Sequence, residues 1–288
     1  SQALARNPGV FGSFYVAMGR VGETTGRLEE IFLQLFHHLE FQKFMKDQVK
    51  SALRYPSFVV LAMAIALVII NIFVIPAFAK VFKGFNAELP FMTRLLIGFS
   101  DFTLAWWPAV LAVLAVAVFA FRMFVKTRDG RLAWDRFKLH IPIAGKIIRK
   151  ATLARFARSF AMATRSGVPI VQGLSLTGQV VENAWIEKKL EDMRMGVERG
   201  ESVLRTAVAA GVFTPVVLQM VMVGEESGSL DDMMLEIADM YQREVEYELK
   251  TLSAQIEPIL IVALGVMVLI LALGVFLPMW DLGKAAIK

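Results

Sequence analysis

Three stretches of this chain, residues 58–79, 104–121 and 259–280, contain no Asp, Glu, Lys or Arg. A helix rises 1.5 Å per residue, so about 20 apolar residues cross a hydrocarbon core roughly 30 Å thick. The first and third runs have 22 residues and the second has 18. The second reaches a full span if Arg122 snorkels to the headgroups, with Trp106 and Trp107 at the opposite interface. Composition agrees with a chain divided between membrane and water: 56% of its 288 residues are hydrophobic and 20% are charged. The expected fold is all-α, a polytopic membrane protein with three transmembrane helices and antiparallel helix bundles in the cytoplasm.

Basic residues set the expected orientation, because loops rich in Lys and Arg stay on the cytoplasmic side. Lys43, Lys46, Lys50 and Arg54 precede the first run, and Lys126, Arg128, Arg131, Arg136 and Lys138 follow the second. Between those runs stand only Lys80, Lys83 and Arg94. The N-terminus is therefore expected in the cytoplasm and the C-terminus on the far side of the membrane. The expected order is a helical segment over 1–56, a transmembrane helix over 57–80, a periplasmic loop over 81–103 and a second transmembrane helix over 104–125. A cytoplasmic six-helix bundle over 126–256, a third transmembrane helix over 257–280 and a periplasmic tail over 281–288 complete it.

Self-comparison reveals a repeat at a constant offset of 202 residues. Gly9-Val10-Phe11 recurs as Gly211-Val212-Phe213. Val21-Gly22-Glu23-Thr24-Thr25-Gly26-Arg27-Leu28 recurs as Val223-Gly224-Glu225-Glu226-Ser227-Gly228-Ser229-Leu230. Pro56 pairs with Pro258 and Pro76 with Pro278. An ungapped match across a polar segment and a membrane run implies internal duplication. Residue 1 then corresponds to residue 203, so the first copy lacks counterparts of residues 151–200. The expectation is a truncated first bundle that is complete in a longer parent chain. Pro56 and Pro258 suit the first turn of a membrane helix, and Pro76 and Pro278 its far end.

The second copy reads helix by helix. Leu153, Phe156, Ala157, Phe160 and Ala163 follow helical spacing until Gly167 and Pro169. A short helix follows to about Gln179. The next carries Ile186, Leu190, Met193 and Val197 on one face and stops at Gly200, and a fourth spans residues 202–210. Thr214-Pro215 has the pattern of an N-cap with proline at the first helical position. That fifth helix ends near Glu226, and Gly228 breaks the chain. Ser229 and Asp232 have capping-box spacing, opening a helix whose stripe is Met233, Ile237, Tyr241 and Val245.

Motifs that carry chemistry are scarce. With no cysteine there is no thiolate zinc site or cysteine nucleophile. Gly145-Lys146 and Gly283-Lys284 lack the rest of a phosphate-binding loop, and no Gly-x-Ser-x-Gly or His-Glu-x-x-His occurs. His37 and His38 are about 100° apart on a helix, which suits packing or solvation better than one metal. Asn71 alone is strongly polar inside a run, a helix-packing residue rather than a substrate site. No catalytic, cofactor or metal residue is expected, and nothing supports nucleic-acid binding. Glu244, Glu246 and Glu248, opposite the basic segment 149–165, read as a solvated face or intrabundle pairing.

The repeated Gly-Glu-x-x-Gly-x-Leu element is the most specific signal: Gly22, Glu23, Gly26 and Leu28, then Gly224, Glu225, Gly228 and Leu230. It reads first as a helix–helix corner. The glycines turn, the leucines pack into the bundle, and the glutamates satisfy backbone donors or an arginine. A partner contact is the second reading.

Three segments together carry a family resemblance: Phe160-Ala161-Met162-Ala163-Thr164-Arg165-Ser166-Gly167-Val168-Pro169-Ile170, the repeated element at 223–230, and Glu257-Pro258-Ile259-Leu260-Ile261. They resemble the type II secretion system F family, which includes inner-membrane platform proteins of type IV pili. The ending Phe276-Leu277-Pro278-Met279-Trp280-Asp281 looks most like the MSHA-type pilus branch. The resemblance implies a non-enzymatic platform without cofactors in a bacterial inner membrane, whose far side is the periplasm. Its implied partners are a cytoplasmic secretion or pilus ATPase, a pilin or pseudopilin, other inner-membrane assembly proteins, membrane lipid and further copies of the chain. The alternative is the membrane subunit of an ATPase-coupled small-solute permease.

Overall fold

The computed structural model describes residues 1–7, 11–74, 76–77, 91–142 and 144–285. Every regular element among them is helical. In order these are α1 (Gln2–Ala5), α2 (Ser13–Thr25), α3 (Leu28–Ile69), α4 (Phe91–Lys126), α5 (Arg128–Lys138), α6 (Ala144–Arg165), α7 (Ile170–Gly178), α8 (Ala184–Glu198), α9 (Val203–Ala210), α10 (Pro215–Ser227) and α11 (Leu230–Ala285). The chain forms two compact units. One contains Ser1–Lys50 and Phe124–Lys250, and the other Ser51–Met123 and Thr251–Lys288.

The first unit is a helical bundle with a continuous apolar interior. Leu153, Phe156 and Phe160 of α6, Leu174 of α7, Ile186 and Leu190 of α8, and Ile237, Tyr241 and Val245 of α11 are at most 2% exposed. Each large side chain buried this fully contributes roughly 1.5–3 kcal/mol. The N-terminal helices join this unit. Phe14 and Met18 of α2, with Ile31 and Leu35 of α3, cluster with Met162, Ala163 and Val168.

Charged side chains lace α6 to α11. Lys150 reaches Glu244 at 2.8 Å and Glu248 at 3.0 Å, Arg158 pairs with Asp239, and Arg165 pairs with Asp231 and with Asp232 at 2.5 Å. Glu244 and Glu248 are therefore paired with the basic segment within the unit, while Glu246 accepts from the Gln242 amide at 3.1 Å. Asp232 is consequently not in a capping box: its carboxylate is taken by Arg165, and the Ser229 hydroxyl pairs with Ser227 at 2.6 Å.

Helix α5 was not foreseen, and with it seven helices, α5 to α11, lie in or begin within 126–256 among the described residues. Its apolar content is low, and it is built from polar interactions instead. Thr127 caps it by accepting from the Gly130 N–H at 3.1 Å. Asp135, only 3% exposed, accepts the Ala184 N–H at 2.7 Å and is paired with Lys138, which fastens α5 to the start of α8.

The second unit holds the apolar runs. Windows of mean hydropathy 2.0, 2.3 and 2.1 lie in α3, α4 and α11, and none of their residues is buried within the protein. Phe58 is 70% exposed, Val113 69% and Ile261 62%. Such a contiguous apolar surface needs lipid as its solvent, so these are membrane-spanning helices.

Helix α4 begins at Phe91, well before the run at 104, so residues 91–103 are helical rather than loop. Residues 81–90 and 286–288 of the expected loop and tail lie outside the described residues. Pro56 lies inside α3 and Pro258 inside α11, rather than opening new helices. Each removes one hydrogen bond, to the carbonyl four residues back, without ending the helix. Asn71 falls in a π-helical turn, Ile70–Val74, that follows α3, and its side chain lies outside the described residues.

His38 is 1% exposed, packs against Phe14 with ring centroids 5.5 Å apart, and meets the Gln42 amide nitrogen at 2.8 Å. His37 is exposed beside Glu40. Burial, and then the positive charges of Arg158 and Arg155, push the His38 imidazole down to about 4. An imidazole is protonated below about 6.5 in the unfolded chain. The unfolded state therefore binds more protons between those values, and stability must fall as pH drops through this window. The shift corresponds to about 3 kcal/mol when complete. Urea unfolding of the wild type should weaken by about that much more than that of His38→Gln between about pH 6.5 and 4. Identical pH slopes for the two proteins would remove His38 from the account.

Candidate functional site

The repeated element forms two corners of the same design. At the second, α10 ends at Gly228 with φ 71° and ψ 14°, a left-handed conformation that costs a Cβ-bearing residue free energy. Helix α11 then doubles back. Gly224 permits the close approach: a Cβ there would stand 3.0 Å from the Leu230 Cα and 3.0 Å from the Met233 Cγ. The backbone of Leu230 cannot move aside as a flexible side-chain end would.

Glu225 points from this corner to the start of α9. The Val203 N–H donates to one carboxylate oxygen at 2.7 Å and the Leu204 N–H to the other at 2.9 Å. Ser202 takes the Arg205 N–H at 3.1 Å, and the Thr206 N–H begins the intrahelical series by donating to the Ser202 carbonyl. Three of the donors a helix leaves unpaired at its start are thus satisfied, two of them by a carboxylate whose charge also suits a helix N-terminus. Of the two roles foreseen for the glutamate, backbone donors rather than an arginine occupy Glu225.

The first corner repeats this geometry at the same offset. α2 and α10 cover equivalent positions, as do the first residues of α3 and α11. Gly26 has φ 70° and ψ 10°, and a Cβ on Gly22 would lie 3.1 Å from the Leu28 Cα. Glu23 accepts from the hydroxyl of Ser1, the position equivalent to Val203, at 2.6 Å.

The corners differ at the leucine. Leu230 is 7% exposed whereas Leu28 is 38% exposed, so only Leu230 packs into a bundle as foreseen. The residues facing outward were not singled out from the sequence. Val223 is 50% exposed and Glu226 is exposed, beside a Glu225 that is turned inward. Strict helical spacing on α10 would have separated Glu225 from Glu226 by about 100°. No group of three or more His, Asp or Glu suited to a metal occurs among the described residues.

Comparison with known proteins gives a consistent picture. The family described as "Type II secretion system (T2SS), protein F" matches residues 1–76 and 156–278, which include both corners. A type IV pilus assembly protein PilC of Thermus thermophilus is 36% identical over 284 residues, covering 98% of this chain and 70% of that protein. The type IV pilus assembly protein TapC of Aeromonas hydrophila is 34% identical, covering 98% of this chain and 69% of the relative. The type II secretion system protein F of Pseudomonas aeruginosa is 31% identical, covering 98% and 70%.

The corner geometry has measurable consequences. Glu225→Ala leaves two first-turn N–H groups of α9 to find water, and should lower stability by about 1–3 kcal/mol. Gly228→Ala should cost about 1 kcal/mol through its backbone conformation, and Gly224→Val considerably more, because its side chain meets backbone. Thermal unfolding followed by circular dichroism checks this order. A Glu225→Ala protein as stable as the wild type would contradict the capping role.

Proposed function

We propose, because the chain belongs to the type II secretion system protein F family, that it is an inner-membrane platform for assembling a type IV pilus of the MSHA kind or a type II secretion pseudopilus. In this reading the helical unit lies in the cytoplasm, engages a hexameric ATPase and couples its action to extraction of pilin subunits from the bilayer. The role is one of assembly, and the chain works with further copies of itself and with other inner-membrane assembly proteins. Duplication of an ancestral unit accounts for the offset of 202 residues and the matching corners.

The observation that best supports the reading is the unbroken course of α11, from Leu230 beside the second corner to Ala285 at the far end of the third span. A displacement of its first turns would be carried along one element instead of being absorbed in a loop. The basic residues flanking the spans support the cytoplasmic placement of the helical unit.

The corners would then serve twice. Gly22, Glu23, Gly26 and Leu28, like Gly224, Glu225, Gly228 and Leu230, set the turn, and the outward residues beside them meet a partner. Glu225 is committed to the α9 backbone, so contact would fall to Val223 and Glu226. Photo-reactive residues at Val223 and Glu226, in membranes of cells making the machine, should capture an assembly ATPase or a pilin. Capture of solute-transport proteins in their place would overturn the platform reading in favour of a permease subunit.

A further inference from the structure

Where α4 leaves its apolar run, the chain builds a groove of about 590 Å3 between α5 and α8. That volume is in the range of small-molecule sites, roughly 300–1,000 Å3. One wall carries Lys126, the last residue of α4, with Arg128 and Arg131 of α5, and the other carries Lys188 of α8. All four cations are exposed at the groove. Among the described residues, Arg131 alone of the four has an ion pair, a long one of 3.9 Å to Asp135.

Acidic residues also line the groove, and they are partly accounted for. Glu191 is held by Arg194 through two contacts of 2.9 Å. Glu187 lies in the first turn of α8, where the helix N-terminus offsets its charge. Asp192 remains.

We propose that this groove binds the headgroup of an anionic phospholipid, with its phosphate among Lys126, Arg128 and Lys188. Connectivity supplies the location. Lys126 ends the helix that carries the second apolar run, so chain connectivity keeps this wall of the groove within reach of headgroups. Chemistry supplies the ligand. Basic residues beside a span are expected wherever a loop stays in the cytoplasm, but that tendency does not explain why Lys188, about 60 residues further along the chain, faces the same space. Convergence from two helices onto a concave surface distinguishes a site from a diffuse positive collar. The inference rests on the membrane assignment of α4 and is independent of the pilus role.

The test uses the full chain in a neutral detergent, examined by native mass spectrometry with phosphatidylglycerol and phosphatidylcholine. Phosphatidylglycerol should be retained preferentially. Combined Lys126→Gln, Arg128→Gln and Lys188→Gln should reduce its retention roughly tenfold or more, with the melting temperature unchanged. Combined Lys43→Gln, Lys46→Gln and Lys50→Gln, which removes equal charge before the first span, should leave retention intact. If both triple variants lose the lipid equally, or neither does, the groove is not the site. Should the groove variant unfold, the charge-keeping set Lys126→Arg, Arg128→Lys and Lys188→Arg must retain the lipid, and its failure would overturn the proposal. Displacement of the lipid by millimolar inorganic phosphate or glycerol phosphate would reassign the groove to a soluble anion and equally overturn it.

Discussion

Three helical windows with mean hydropathy of 2.0 to 2.3 bury none of their residues inside the protein, and everything else in the molecule is arranged around that fact. In lipid the backbone must satisfy its own hydrogen bonds, which favours long unbroken helices over loops. Helices of 42, 36 and 56 residues answer this demand. They tolerate Pro56, Pro108 and Pro258 in their interiors because each proline removes one bond while the remaining turns stay paired.

The helical unit solves the opposite problem, that of short helices in water. Elements of 8 to 15 residues are marginal alone, so their ends are held by specific side chains. Glu225 and Ser202 complete the start of α9, Asn183 and Asp135 the start of α8, and Thr127 the start of α5. Glu225 does this from another helix, so that one carboxylate both caps α9 and fixes its distance from the α10–α11 corner. The repeated element therefore has an architectural cause complete in itself, and any partner contact is added on its outer surface.

Much of this was legible in the chain itself. The stops at Gly167, Gly200 and Gly228 and the start at Thr214-Pro215 mark real helix ends, because glycine conformation and proline chemistry act locally. The parts that were not legible depend on distant residues. Helix α5 has few apolar residues and is secured by Asp135, whose partner amide is 49 positions away. The capping box at Ser229 was lost to Arg165, 67 positions from Asp232. Leu28 and Leu230 occupy equivalent positions in sequence but differ in burial, because burial is set by what folds around each corner.

Coupling along α11 is the central claim, and hydrogen exchange of the full chain in lipid nanodiscs tests it most directly. The decisive amides are those of residues 250–262, where one unit gives way to the other and Pro258 leaves the Ala254 carbonyl without its usual partner. The account predicts slow exchange throughout this stretch, matching the turns on either side. Rapid exchange confined to residues 253–257, with protection elsewhere, would reveal a hinge at the proline and contradict transmission through a single helix.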